Sequence, residues 1–334
     1  MKKLITALLI TLACNHILAD SRDCEGVQIA DMNWESATFV AHVDQFILEH
    51  GYDCTAELVP ANTQATGAAI LQTGKPEIIP EFWWHAMKQE VEAAVASQKI
   101  IRIGSPLSEG GIEGFWIPEY MYQKAPELNT INGVIKNINL FSLNKNDGSK
   151  IPFYGCPKGW NCHISSKNLF EILDLDKAGF EYRTAASGPD LAISLQEAYE
   201  KKQPWFGYYW SPTPLMGKHK MTLVDFGSGI NKELFESCMT KPDCKAPKPT
   251  MYPAPLVQTV VTTDFARNHP GYVKYLSHRG WTDAQMNELL AWMEANQADG
   301  DAAMEHFLKN YQSVWVKWVD GNAVRSIRKA LRDL

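Results

Sequence analysis

Seven of the eleven tryptophans in this 334-residue chain sit where helical packing does not explain them. They are Trp34, Trp83, Trp84, Trp116, Trp160, Trp205 and Trp210, in loops or at the ends of strand-like runs. Each has a polar or turn residue close by, among them Glu35, Glu81, His85, Glu113, Asn161 and Ser211. A single tryptophan in such a place is ordinary core. A group of four or more points to specific chemistry, because indole faces attract cations that cannot donate hydrogen bonds. Several rings are needed, since each contributes about 0.5–2 kcal/mol against the cost of removing a quaternary ammonium ion from water. Trp292, Trp315 and Trp318 belong to apolar helical stripes and are read as packing.

Other chemistry is poorly represented. The chain has no G-x-S-x-G elbow, no H-E-x-x-H, no phosphate-binding G-x-x-x-x-G-K-[ST] and no G-x-G-x-x-G following a strand. It therefore nominates no catalytic residue and no cofactor. With 38 acidic against 32 basic residues and a net charge of −6, it lacks the basic footprint of a nucleic-acid partner. The composition is 45% hydrophobic and 21% charged, which excludes a disordered chain and is enough for a sizeable core in two lobes.

The cysteines define a compartment. Residues 1–19 read as a secretory leader: Lys2 and Lys3, an apolar run from Leu4 to Ala13, then Ala19 before a cleavage point at Asp20. Lipidation at Cys14 is a less favoured variant, because Thr11 occupies the usual leucine position of a lipobox. Removal of the leader leaves a charge of −8 and six cysteines. An even count in an exported chain suggests disulfides, and proximity favours Cys24–Cys54, Cys156–Cys162 and Cys238–Cys244. The competing reading is a metal held by Cys162 and His163, but no second Cys/His pair stands at zinc-ligand spacing, so no metal is expected.

The elements that must position these residues alternate between strand and helix. Val27–Met32 reads as a strand, Asn33–Ser36 opens a helix with Phe39, Val43, Phe46 and Ile47 on one face, Gly51 ends it as a cap, and Thr55–Val59 is the next strand. This β-α-β unit implies a parallel sheet with Asn33–Ser36 at its ligand-binding carboxyl edge. Strands follow at Glu77–Ile79, Ile100–Ile103 and 112–118, with a helix at Trp84–Ala96. The middle of the chain holds strands at 151–154, 181–184, 205–210 and 221–225, and helices at 166–173 and 190–201. After a strand at Val257–Thr262 the C-terminus is helical, with a capping box at Thr282-x-x-Gln285.

In order along the chain, several of these segments resemble the periplasmic substrate-binding proteins of ABC importers for glycine betaine, proline and choline. They are Asn33-Trp34-Glu35-Ser36 with Ile47–Tyr52, the Glu77–Trp84 stretch EIIPEFWW, Gly114-Phe115-Trp116-Ile117-Pro118, Gly159-Trp160-Asn161-Cys162 with Cys156 upstream, and Tyr208-Tyr209-Trp210-Ser211-Pro212. The resemblance spreads over most of residues 25–320. It implies a two-lobe α/β fold of the type II-like periplasmic binding class, each lobe a mainly parallel sheet flanked by helices. Residues 20–116 plus 214–334 would form lobe 1 and 117–213 lobe 2, with a hinge of two crossing strands.

The resemblance also implies a cage. Lobe 2 supplies Trp160 and Trp210. Lobe 1 supplies Trp83 or Trp84, with Trp83 favoured by its spacing from Glu81; Trp116 is a fourth wall, and Trp34 lies near. Backbone N–H groups of Asn161 and Cys162 would receive a ligand carboxylate. His85 stands closer to the tryptophans than the family's lobe-one histidine, which leaves its role open. Glu113 is either a solvated turn residue or an inward carboxylate, and the inward arrangement favours trimethylamine N-oxide or choline over glycine betaine. The expected partners are a small methylated ammonium or sulfonium ligand and a membrane permease, met by a monomer in the periplasm. An enzyme, or a sugar or amino-acid binding protein on the same fold, is the alternative.

Overall fold

The computed structural model describes residues 24–143 and 150–334; the expected leader and Cys14 lie outside them. Ten strands form two five-stranded sheets. The first contains β1 (Val27–Met32), β2 (Ala56–Ala61), β3 (Ile78–Trp83), β4 (Ile100–Ile103) and, from far along the chain, β10 (Val257–Thr262). The second contains β5 (Ile112–Pro118), β6 (Ile151–Gly155), β7 (Phe180–Thr184), β8 (Gly207–Ser211) and β9 (Met221–Leu223).

The orders are β2-β1-β3-β10-β4 and β7-β6-β8-β5-β9, the same plan twice. Each sheet is parallel across its first three strands and antiparallel across the next two pairings, so it is mixed where a mainly parallel sheet was expected. The antiparallel pairings arise at β10 and β5, the strands by which the chain arrives from the other lobe. The β5 strand is bonded to β8 from Ile112↔Ser211 to Trp116↔Gly207, and β9 is bonded to β5, so both belong to the second sheet. The expected boundary at 116/117 thus falls within β5, and that at 213/214 falls between β8 and β9 of the same sheet. The two passages between lobes, 104–111 and 224–256, contain no strand of either sheet.

The first β-α-β unit follows its sequence pattern. Helix α1 (Glu35–Tyr52) buries Phe39, Val43, Phe46 and Ile47 against the sheet. It runs past the glycine expected to stop it. Asp53 takes the left-handed conformation (φ 57°) and caps the helix by donating its N–H to Leu48. Gly51 has a packing role instead, because a Cβ there would lie 3.1 Å from Ile327 Cδ1 of the C-terminal helix Gly321–Asp333. Helices α2 (Thr63–Thr73) and α3 (Lys88–Ala96) complete the first block, α3 preceded by a 3-10 turn at His85–Met87.

The C-terminal helices close over lobe 1. The capping box is formed, with Thr282 Oγ1 accepting from Gln285 N and Gln285 Oε1 accepting from Thr282 N. Trp281 and Trp318 pack edge-on at 4.9 Å, and Trp281 meets Phe39 of α1 at 5.1 Å. A fully buried ion pair lies beneath β3. Arg279 donates to both Asp44 oxygens at 2.6 and 2.7 Å and to the Pro80 carbonyl at 3.1 Å, and Tyr275 donates to Asp44 at 2.6 Å. This network holds the backbone of β3 one residue before Glu81.

All three expected disulfides are present: Cys24–Cys54, Cys156–Cys162 and Cys238–Cys244. Cys162 is thereby removed from any metal set, and His163 faces the Cys156 carbonyl at 3.1 Å. Among the described residues no group of three or more His, Cys, Asp or Glu is placed to hold a metal ion.

Candidate functional site: a tryptophan-walled cavity between the lobes

The lobe 1 wall grows from the adjacent carboxyl ends of β1 and β3. Trp34 is the extended residue between β1 and α1. Along β3, side chains alternate between faces, so Glu81 and Trp83 share one. Three donors converge on one oxygen, Glu81 Oε1: Trp34 Nε1 at 2.8 Å, Ser36 Oγ at 2.9 Å and Trp83 Nε1 at 3.0 Å. One carboxylate therefore orients two indoles. Glu81 is fully buried and its Oε2 has no hydrogen-bond partner. Burial pushes its pKa above the ordinary carboxylate value, while the hydrogen bonds from Trp83, Trp34 and Ser36 and the Arg279 charge work against that rise.

The lobe 2 wall has two sources. The short loop after β6, stapled by Cys156–Cys162, presents Trp160 and Asn161 and leads into the helix Cys162–Ile172. The second source is the β5–β8 ladder, in which Glu113 pairs directly with Trp210. Alternation along β8 then puts Tyr208 on the same face as Trp210, and the Tyr208 hydroxyl donates to Glu113 Oε1 at 2.6 Å.

Together these residues line one cavity of about 340 Å³, measured out to its open mouth: Trp34, Thr63, Trp83, Glu113, Trp160, Asn161, Cys162, Tyr208 and Trp210. Trp160 meets Trp34 at 5.5 Å and 75°, and Trp210 at 5.0 Å and 85°. These edge-to-face contacts brace the rings at near right angles. Two glycines make room: a Cβ on Gly111 would lie 2.5 Å from the Trp83 ring, and one on Gly188 would lie 2.9 Å from Trp160.

The cavity is closed by bonds that cross from lobe to lobe. Trp160 Nε1 donates to Asn33 Oδ1 at 2.7 Å, and Asn161 Nδ2 donates to the Trp83 carbonyl at 2.8 Å. Gln64 donates its side-chain amide to the Trp160 carbonyl at 3.2 Å and its backbone N–H to that of Gly159 at 3.2 Å. The N-terminus of the helix Cys162–Ile172 opens at the cavity, and first-turn N–H groups have no acceptor within their own helix. The site thus offers ring faces, two carboxylates at or just behind the wall, and one helix N-terminus.

Several sequence expectations resolve against this geometry. Of the lobe 1 pair, Trp83 lines the cavity and Trp84 does not. One residue further along, Trp84 turns away and lies under the Arg102 guanidinium, 4.7 Å from its ring centroid. Trp116 is not the fourth wall. It stands three residues from Glu113 on the same strand, hence on the opposite face, with its Nε1 donating to the Tyr209 carbonyl at 3.0 Å. Trp34 takes that place. Trp205 stacks on Tyr154 in the core. Glu113 is no solvated turn residue, being 6% exposed and inside β5. His85 is buried outside the lining, with Nε2 3.3 Å from Glu113 Oε2.

Tyr208, Thr63, Asn33 and Gln64 were missed as site residues. Tyr208 was legible, two residues before Trp210 on a strand. Asn33 stands in the quoted Asn33–Ser36 segment without a role of its own. Gln64 and Thr63 had no signal, because only the approach of the lobes brings them to the cavity.

A family described as the substrate binding domain of ABC-type glycine betaine transport systems matches residues 25–310. Solved structures share the fold at low identity. An ABC-transporter choline binding protein in complex with choline aligns with TM-score 0.69 at 16% identity, over 93% of this chain and 99% of that one. A glycine betaine/L-proline-binding protein from Borrelia burgdorferi aligns with TM-score 0.70 at 18% identity, over 90% and 99%. A lactococcal protein in its closed-liganded conformation with glycine betaine aligns with TM-score 0.64 at 17% identity, over 89% and 100%. The family match spans most of the chain, so the chain belongs to this family of substrate-binding proteins, and the reading of a binding protein over an enzyme follows from that membership.

Proposed function

We propose that this member of the glycine betaine substrate-binding family captures a small methylated onium osmolyte between its lobes and delivers it to the permease of an ABC importer. The observation that carries this is the meeting of Trp34, Trp83, Trp160 and Trp210 around one cavity with Glu113 in its wall. A trimethylated nitrogen has no proton to donate, so ordinary acceptors cannot satisfy it. Ring faces and nearby buried negative charge can. Glu81, which orients two of the rings, and Glu113 supply that charge.

The arm of the ligand is read from Glu113. A carboxylate arm would meet the helix N-terminus at Asn161 and Cys162, which suits it, but would also face Glu113, which repels it. A hydroxyl arm can donate to Glu113, and so can an N-oxide in its protonated form. Choline and trimethylamine N-oxide therefore rank above glycine betaine. The Asn33–Trp160, Asn161–Trp83 and Gln64–Trp160 bonds form only when the lobes meet. Ligand bound to both walls shifts the balance toward that closed form, which the permease would engage. The leader expected over residues 1–19 supports a periplasmic setting, and a single copy of the chain suffices because one chain contributes every wall.

The test is calorimetric titration of the purified mature protein with choline, trimethylamine N-oxide, glycine betaine, dimethylsulfoniopropionate and proline betaine, the ligand being recovered afterwards. One-to-one binding of unaltered ligand is expected. Affinities no better than about millimolar for all five, roughly −4 kcal/mol, would defeat the onium reading, and conversion of ligand to product would show an enzyme.

A further inference from the structure

Ring walls hold an onium head whatever arm it carries, so a choice among arms needs a polar group aimed into the cavity. Most polar side chains of the wall are already engaged. Trp34 and Trp83 donate to Glu81, Trp160 to Asn33, Asn161 to the Trp83 carbonyl and Tyr208 to Glu113. Thr63 differs. It lines the cavity from lobe 1 as the first residue of α2, it is 3% exposed, and its hydroxyl is bonded to none of the described residues. The residues on either side of it are occupied. Asn62 Oδ1 accepts from Ala65 N at 3.0 Å, and Gln64 donates to the Gly159 and Trp160 carbonyls of the opposite lobe. Asn62 approaches the same loop, since a Cβ on Gly159 would lie 3.4 Å from its Cγ. Thr63 therefore stands at the end of the cavity where Asn161 and Cys162 open the second-lobe helix. We propose that Thr63 is a specificity-determining residue whose hydroxyl hydrogen-bonds the arm oxygen of the ligand, selecting onium ligands that carry an oxygen over those that present only methyl groups.

The logic is one of hydrogen-bond partners. The methyl groups of the head neither donate nor accept, so the arm oxygen is the atom such a bond can reach. A threonine hydroxyl brings one donor and two acceptor positions, so it can donate to an oxide and accept from an alcohol. An ionised Glu113 only accepts, and serves an arm that carries a proton. Thr63 extends the site to an oxide that holds none. Burial sharpens the choice. A ligand with methyl in place of oxygen would leave the hydroxyl unpaired, and a site built to hydrogen-bond rejects such an analogue more strongly than an apolar pocket rejects one extra methylene. The hydroxyl carries no charge, so this selection does not depend on the net charge of the ligand.

The inference rests on the onium-binding reading above. It is tested by calorimetry of the mature wild type, T63V and T63S with two matched pairs of ligands, trimethylamine N-oxide against tetramethylammonium and choline against propyltrimethylammonium. In each pair a methyl group takes the place of the oxygen. Valine keeps the shape of threonine without its hydroxyl, and serine keeps the hydroxyl. In at least one pair, the affinity ratio of the oxygen-bearing ligand to its methyl counterpart should fall about fivefold or more from wild type to T63V. The methyl counterpart itself should stay within about twofold, and T63S should hold the wild-type ratio within about twofold. A ratio that T63V leaves unchanged in both pairs, whether or not all four ligands weaken together, overturns the role of Thr63 while leaving the onium reading intact. A wild type that binds none of the four overturns that reading and this inference together. T63A repeats the test if T63V does not fold.

Discussion

The hydrogen bond from Trp160 Nε1 to Asn33 Oδ1, 2.7 Å long, makes one cage wall dependent on the opposite lobe. Its contribution can be isolated with Asn33→Ala, Trp160→Phe and the double variant. A net intramolecular hydrogen bond is worth about 0.5–1.5 kcal/mol, so Asn33→Ala should weaken ligand binding roughly 2- to 12-fold. Trp160→Phe keeps a ring face but loses the donor and part of the quadrupole, which adds about 0.5 kcal/mol to the same loss. The double variant should bind no worse than Trp160→Phe alone, because the bond can be broken only once. Trp160→Ala removes the face as well, together with its braces to Trp34 and Trp210, and should cost about 3 kcal/mol, near a hundredfold. The assay is calorimetry with the best ligand of the panel, paired with stopped-flow release monitored by tryptophan fluorescence. A lobe-bridging bond should act mainly on the release rate. Losses from Asn33→Ala and Trp160→Phe that add to within about 0.3 kcal/mol would refute the bond as a closing contact, as would an effect confined to the association rate.

Four further outcomes are expected. Glu81→Gln keeps an acceptor for Trp34, Trp83 and Ser36 but removes the charge, so binding of a cation should fall about tenfold or more while the fold persists. Because burial raises the Glu81 pKa above its ordinary value of 4.5, the wild type should lose stability as pH climbs from that value through the raised one. Denaturant titrations across pH should find this loss reduced in Glu81→Gln, and equal slopes in the two proteins would contradict it. Trp84→Phe and Trp116→Phe should leave ligand affinity within about twofold, since neither ring reaches the cavity; a large loss in calorimetry would return them to the cage. Replacing Cys156 and Cys162 by serine opens a staple with a sequence separation of 6, worth about 2 kcal/mol of chain entropy, and should weaken binding by loosening Trp160 and Asn161. Unchanged affinity in that variant would mean the loop is held by other contacts.

Much of the fold was readable from spacing alone. The opening β-α-β unit, the stripe on α1, the capping box at Thr282 and the pairing of six cysteines all depend on residues near one another in the chain. The choice between Trp83 and Trp84 stayed open in the sequence, where the strand reads only to Ile79; β3 runs on to Trp83, and alternation along it then links Glu81 to Trp83 and leaves Trp84 out. The same rule excludes Trp116 once Glu113 is known to point inward, but that direction depends on which strand pairs with β5. Gly51 shows the opposite limit: a glycine near a helix end suggested a cap, and the approach of the C-terminal helix gave it a different use.

The amino-acid sequence by itself determined which residues could bind a methylated cation, because ring faces and carboxylates are properties of side chains and their local periodicity. Tertiary structure decided which of them do so together. Trp34 and Trp83 stand at the ends of strands that are neighbours only in the sheet, and Trp160 and Trp210 come from the other lobe. Their convergence, the bonds of Asn33 and Gln64 across the cleft and the approach of His85 to Glu113 are contacts between segments tens to more than a hundred residues apart. Such contacts leave no periodic trace in the chain, since their geometry is set by how two sheets pack rather than by any local repeat.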